Sequence, residues 1–427
     1  MSAYRQTAGG AAGGRALLCA IAMLAAAAPA AAQAVAITGG TVYPVSGPRI
    51  ENGTVILQDG KVVAVGAGIP VPAGATRIDA TGKWVTPGFF HAFSDYGLTG
   101  VQSVDETREG SENGDVNPAF DVAEGIDPAA VTIPIARMQG ITTALVAPSD
   151  RFLSGQGTVI DLAGGTIEDM VGVDHAAMVI ALGVQAKDAG GGSRAGVLER
   201  FRQLFRDALE YQRRKADYDQ NRMEQLSAPA AELAALAPVL SGKEPVIAQA
   251  NRKSDIESAL RLAREFHLRL VIRGGTEAWM VAPELAQAGV PVLLQNLTDV
   301  PHFDGLNARL DNATILAQAG VAIVLAQNDD SRDRDLRFAA GNAVRNGLSW
   351  DQALRAVTLA PAIALGVSDR WGSLEAGKTA DVVVWSGDPF EFSSRAEHVF
   401  IRGVDLPLKS RMTELLDRYR TLPPKYF

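Results

Sequence analysis

The 427-residue chain has a single cysteine, Cys19, and only five histidines. Cys19 sits in an N-terminal apolar stretch, so everything downstream is free of thiols. That excludes a disulfide framework, a cysteine nucleophile and thiolate metal ligands from the body of the protein. The histidines are His91, His175, His267, His302 and His398, and no two stand two or four residues apart. The local His pairs that seed many metal sites are therefore missing. Basic excess is missing too: 40 Lys and Arg face 48 Asp and Glu, a net charge of −8, and no nucleic-acid partner is expected. No phosphate-binding glycine loop and no Ser-His-Asp order stands out. After the first 32 residues no apolar run is long enough to span a bilayer, so no stable membrane anchor is expected.

What is present begins with an export signal. Arg5 and Arg15 make a positive start, residues 16–28 are apolar, and Ala30-Ala31-Ala32 offers a small-residue cleavage site before Gln33. Residues 1–32 are expected to be removed, leaving a periplasmic or secreted protein with a net charge of about −10. Leu17-Leu18-Cys19 is a poor lipid-attachment site, because a leucine precedes the cysteine.

From Val35 to Thr86 short strands alternate with turns. Asp59-Gly60 between Val55-Ile56-Leu57 and Val62-Val63-Ala64-Val65 predicts a tight hairpin. Two further strands are expected at Ala380–Trp385 and His398–Gly403. The two chain ends should meet in a small β-sandwich, formed by residues 33–86 and 369–427. Residues 87–368 hold eight apolar runs: 88–94, 142–147, 158–162, 177–182, 245–250, 268–272, 291–295 and 321–326. Amphipathic helical patterns interrupt them at 254–266, 277–288, 307–319 and 349–357. Continuous apolar strands alternating with such helices predict an α/β fold with a (β/α)8 TIM-type barrel. A long charged helix over about 195–226 reads as a solvated or subunit-facing face. Gly155-Gln156-Gly157 reads as a loop packed near the barrel mouth.

Several stretches resemble the amidohydrolase superfamily, imidazolonepropionase-like members in particular. They are WVTPGFF at 84–90, GGTEAWMVAPELAQAGVPV at 274–292, FDGLNARLDNATILAQAGV at 303–321, GNAVRNGLSWDQALRAVTLAPAIALGV at 341–367 and GSLEAGKTADVVVWSGDPFE at 372–391. The resemblance implies a β-sandwich with a (β/α)8 barrel and one or two divalent metals at the barrel mouth. A metal-bound hydroxide would attack a C–N centre.

At the ligand positions the chain departs from that pattern. Where the family's first strand reads Pro-Gly-x-x-Asp-x-His-x-His, this chain has His91, Phe93 and Asp95. The fourth strand offers Val184 or Gln185 in place of a glutamate or carboxylated lysine, with Lys187 nearby. Gln249 stands for the fifth-strand His and Gly274 for the sixth-strand His. Asn328, next to Asp329, stands for the eighth-strand Asp. Phenylalanine has no lone pair to give and asparagine cannot accept a proton from water. No cofactor is expected; if the site is active, zinc or an oxygen-ligated ion is, the latter on Asp95, Gln249, Asn328, Asp329 and the acidic loop 328–335.

The expected function is an exported, catalytically impaired amidohydrolase-like protein. It would pair as a non-catalytic partner with an active homologue in a hetero-oligomer, or bind a small molecule at the barrel mouth. The alternatives are a working hydrolase of non-peptide C–N bonds (cyclic amide, imide or acyl-amino-acid type) with an altered site, and a metal-independent lyase or isomerase.

Overall fold

The computed structural model describes residues 33–101, 104–111, 114–222, 224–295, 297–327 and 335–421. The proposed signal, residues 1–32, lies outside them. Two sheets of eight strands each organise the chain.

The first is assembled from both chain ends. It contains β1 (Val35–Val42), β2 (Ile50–Gln58), β3 (Lys61–Ala67), β4 (Thr76–Asp79) and β5 (Trp84–Pro87). Asp59 and Gly60 both take positive φ, 49° and 74°, and close the β2–β3 hairpin where the sequence places it. The far end of the chain returns as β14 (Val382–Trp385), β15 (Ala396–Ile401) and β16 (Val404–Asp405). β14 pairs antiparallel with β5, Val384 opposite Val85. The expected sandwich is therefore one hydrogen-bonded sheet, in the order β16-β15-β14-β5-β1-β2-β3 with β4 on β1. Ile37, Val55, Val85, Val382 and Phe400 share its core.

The second sheet holds β6 (Phe89–Ser94), β7 (Ile141–Val146), β8 (Leu153–Asp161) and β9 (Val171–Ala181). It continues with β10 (Pro245–Ala250), β11 (Arg269–Gly274), β12 (Val292–Gln295) and β13 (Ile323–Ala326). All eight apolar runs become strands, in consecutive order. The edge strands β13 and β6 lie against each other, so the sheet curls into a nearly closed barrel. One strand departs from the expected alternation: β8 runs antiparallel to both β7 and β9. Its connections explain this. Parallel neighbours need a crossover of a dozen or more residues, and residues 147–152 and 162–170 are too short to supply one. Gly155-Gln156-Gly157 accordingly lies inside β8 as buried strand, not in a mouth loop.

Side chains alternate along the strands. Ile247, Val271, Leu293 and Val324 pack into one inner cluster with Phe90 and Phe93. Val246, Leu270, Ile272 and Leu294 face the other way, into the helical layer. The helix Lys253–Phe266 ends where His267 takes φ 55°, in the left-handed region. The helix Arg194–Arg213 starts at a Ser193 cap and buries Phe201, Leu204 and Phe205. Its charged face pairs with a neighbour, Arg202 to Glu265 at 2.8 Å. Among the described residues no helix is long and apolar enough to cross a membrane.

Candidate functional site

The side chains at the C-terminal strand ends follow from the period of two. Residues two beyond the inner cluster point into the barrel: Gln249 after Ile247, Arg273 after Val271, Gln295 after Leu293. On the sixth barrel strand the side chain that enters is thus Arg273, one residue before Gly274. Gly274 has φ 89°, and a β-carbon there would collide with Asn251 Oδ1. That Asn251 oxygen already accepts the Thr276 hydroxyl at 3.0 Å.

Arg273 is 1 % exposed. Its guanidinium carbon stands 3.9 Å from the centre of the Phe93 ring. One arm pairs with Asp150, in the segment after β7, and Nη1 donates to Gln295 Oε1 at 2.9 Å. Its Nε has no partner among the described residues. Burial lowers the Arg273 pKa to about 9, which still leaves it charged at neutral pH. A single cation therefore joins β11 to β6, β12 and the β7 loop.

Phe93 is buried. Asp95, half-buried, lines a cavity of about 400 Å³ with Phe93, Ser94, Arg108 and Asp150. His91 is fully buried, and burial pushes its pKa down to about 4 against the pull of main-chain groups of Gln327 and Phe93. A neutral ring packed edge-on to Tyr96 at 5.6 Å is the result. Gln249 is also buried, with Oε1 unpartnered among the described residues. Asp304 Oδ2 is unpartnered likewise, and both oxygens, with Gln185 Oε1, ring the bare side of Gly183. The other Asp304 oxygen accepts Arg194 Nη2 at 2.6 Å and faces Arg252 Nε at 3.5 Å. Val184 and Gln185, at the fourth-strand position, are exposed, and His302 is exposed as well. Asn328 and Asp329 lie outside the described residues.

Phe93, Asp95 and the β11 end therefore converge at the mouth, and Gln249, opposite Arg273 on the neighbouring strand, turns its Oε1 toward Asp304 and Gln185. Arg273, Asp150 and Gln295 were not singled out from the sequence. The signal for Arg273 was there: a charged residue closing the buried run Leu270-Val271-Ile272, in step with Val271.

Among the described residues one group has a metal-binding donor set, Asp121, Asp174 and His175, with ligand atoms within 4.8 Å of one another. His175 Nε2 lies 3.2 Å from Asp121 and 3.7 Å from Asp174. Neighbours in a regular strand point to opposite faces; His175, with φ 47°, breaks that alternation. The group lies six residues before the end of β9, roughly 20 Å of strand away from the mouth. The remaining histidine, His398, pairs with Asp405 at 2.7 Å on the first sheet.

The amidohydrolase family model matches residues 310–410. The chain is 30 % identical to an amidohydrolase from Thermotoga maritima of known structure, with a TM-score of 0.79, over 87 % of this chain and 99 % of that one. It is 25 % identical to the amidohydrolase tasK of Hapsidospora irregularis over 388 residues, 82 % of this chain and 39 % of that protein. An imidazolonepropionase from Thermoplasma acidophilum is 30 % identical over 104 residues, 24 % of each chain. The chain thus spans well under half the length of these last two relatives.

Proposed function

The chain belongs to the amidohydrolase family, related to hydrolases of C–N bonds, and from that membership we propose that its barrel has kept the fold and given up the metal chemistry. The observation that carries this is the pairing of Phe93 with Arg273 at the mouth. Among the described residues at the mouth, where Asp95 is the one carboxylate at a ligand-equivalent position, the donors do not fit the divalent ion that the family implies. Phe93 has no lone pair, Arg273 brings a positive charge into the same space, and Gln249 offers a neutral amide oxygen. No hydrolytic step is routed through such an ion here.

In this reading the protein is exported, residues 1–32 being its signal. It serves either as a binder of a small molecule in the Asp95-lined cavity or as a non-catalytic partner of an active homologue. The competing reading is a C–N hydrolase with an altered site. It is favoured by one feature: Asp95 lines a cavity of about 400 Å³, room enough for a small substrate.

The deciding experiment measures metal in the purified protein by mass spectrometry, alongside hydrolysis of cyclic imides, lactams and acyl dipeptides. Substoichiometric metal with no turnover is expected. A full equivalent of zinc, manganese or iron with turnover that a chelator abolishes would overturn the proposal.

A further inference from the structure

The buried guanidinium is more than an obstacle to a metal. We propose that Arg273 is the resident cation of this barrel, a tethered positive charge that ties four segments of the mouth together and positions Asp150 in the cavity wall. The inference rests on the reading of the barrel as metal-free.

Three observations support it. The guanidinium touches partners on three other segments: the Phe93 ring on β6, Asp150 after β7 and Gln295 at the end of β12. None of these contacts is local in sequence; Asp150 is 123 residues away and Gln295 is 22. A fully buried arginine without charge compensation would be strongly unfavourable. Here one carboxylate neutralises it, an aromatic face lies against its guanidinium carbon, and an amide oxygen accepts a third contact. The fork geometry matters, because a compact lysine ammonium is a point charge and does not spread over the carboxylate, the amide oxygen and the ring as the guanidinium does.

Asp150 in turn lines the cavity beside Asp95 and Arg108. With Arg273 in place, Asp150 presents to the cavity as half of an ion pair. Without it, the carboxylate would swing or stay uncompensated. Arg273 is accordingly a positioning residue for whatever the cavity binds.

The test is chemical rescue. Arg273→Ala removes the charge and opens a space shaped like a guanidinium. Millimolar methylguanidinium should raise the melting temperature of this variant in a saturable way and leave the unsubstituted protein unmoved. N-Methylurea, of the same shape without the charge, should do nothing. Equal effects from both compounds, or none from either, would refute the proposal. If Arg273→Ala does not fold, Arg273→Lys and Arg273→Met replace it: the charged variant should melt higher than the neutral one, and the reverse order refutes the charge role. Metal content of the unsubstituted protein separates the two failures. A bound equivalent of metal sinks the metal-free reading, whereas failed rescue in metal-free protein sinks only the role of Arg273.

Discussion

Rebuilding a metal site in this barrel should depend on which residue of the β11 end is changed. Two histidine sets share Phe93→His, Asp95→His and Gln249→His and differ in the β11 substitution, Arg273→His in one and Gly274→His in the other. In the second set Arg273 stays. A divalent ion held by residue 93 would then lie within roughly 5 Å of the guanidinium, and at an effective dielectric of ~20 the repulsion is about 7 kcal/mol. Asp150 offsets part of this, but a remaining ~3 kcal/mol still weakens binding about a hundredfold. Gly274→His has a second defect: its φ of 89° and the clash with Asn251 should destabilise the fold by about 2–4 kcal/mol. Zinc titration by calorimetry and urea denaturation read both effects. The Arg273→His set should bind one zinc and the Gly274→His set should bind none and unfold at lower urea. Equal zinc affinity in the two sets would refute the placement of Arg273 at the ligand position.

Two other perturbations test the packing and the electrostatics. Glu244 precedes β10 with both carboxylate oxygens buried and unpartnered among the described residues, and burial raises its pKa to about 8. A raised carboxyl pKa means that the native state holds a proton the unfolded chain has lost, so this contribution to stability falls as pH rises from about 4.5 to 8. Glu244→Gln should remove that slope and add on the order of 5 kcal/mol above pH 8, seen in urea denaturation across pH; an unchanged slope would show that Glu244 does not cause it. Gly140, with φ 79°, lies against the Trp385 indole, which donates to Thr86 Oγ1 at 2.9 Å. Gly140→Ala would push the indole off the joint between the two sheets and should cost about 3 kcal/mol, with a lower melting temperature as the measurement; a melting temperature like that of the unsubstituted protein would count against the joint.

Much of the fold was legible because burial writes itself into local pattern. Eight apolar runs became eight strands, and Asp59-Gly60 became the hairpin it signals. The direction of β8 was not legible. Thr158–Leu162 is equally apolar whichever way it runs, and only the short connections at each end decide that it returns antiparallel. The site was harder to read for a related reason. Matching a motif aligns letters, and Gly274 was the letter before Gly-Thr-Glu. Counting the strand period from Val271 aligns side chains, and it puts Arg273 inside the barrel. A one-residue shift along a strand exchanges the two faces, so at a barrel mouth the face-by-face count outranks the motif. The same argument explains why Asp121, Asp174 and His175 could not be grouped in advance. Asp174 and His175 are adjacent, and a regular strand would separate them; the positive φ of His175 breaks that rule, and no letter in the sequence announces it. Where a strand is regular, chemistry can be read from spacing; where it is bent, the bend itself creates the cluster.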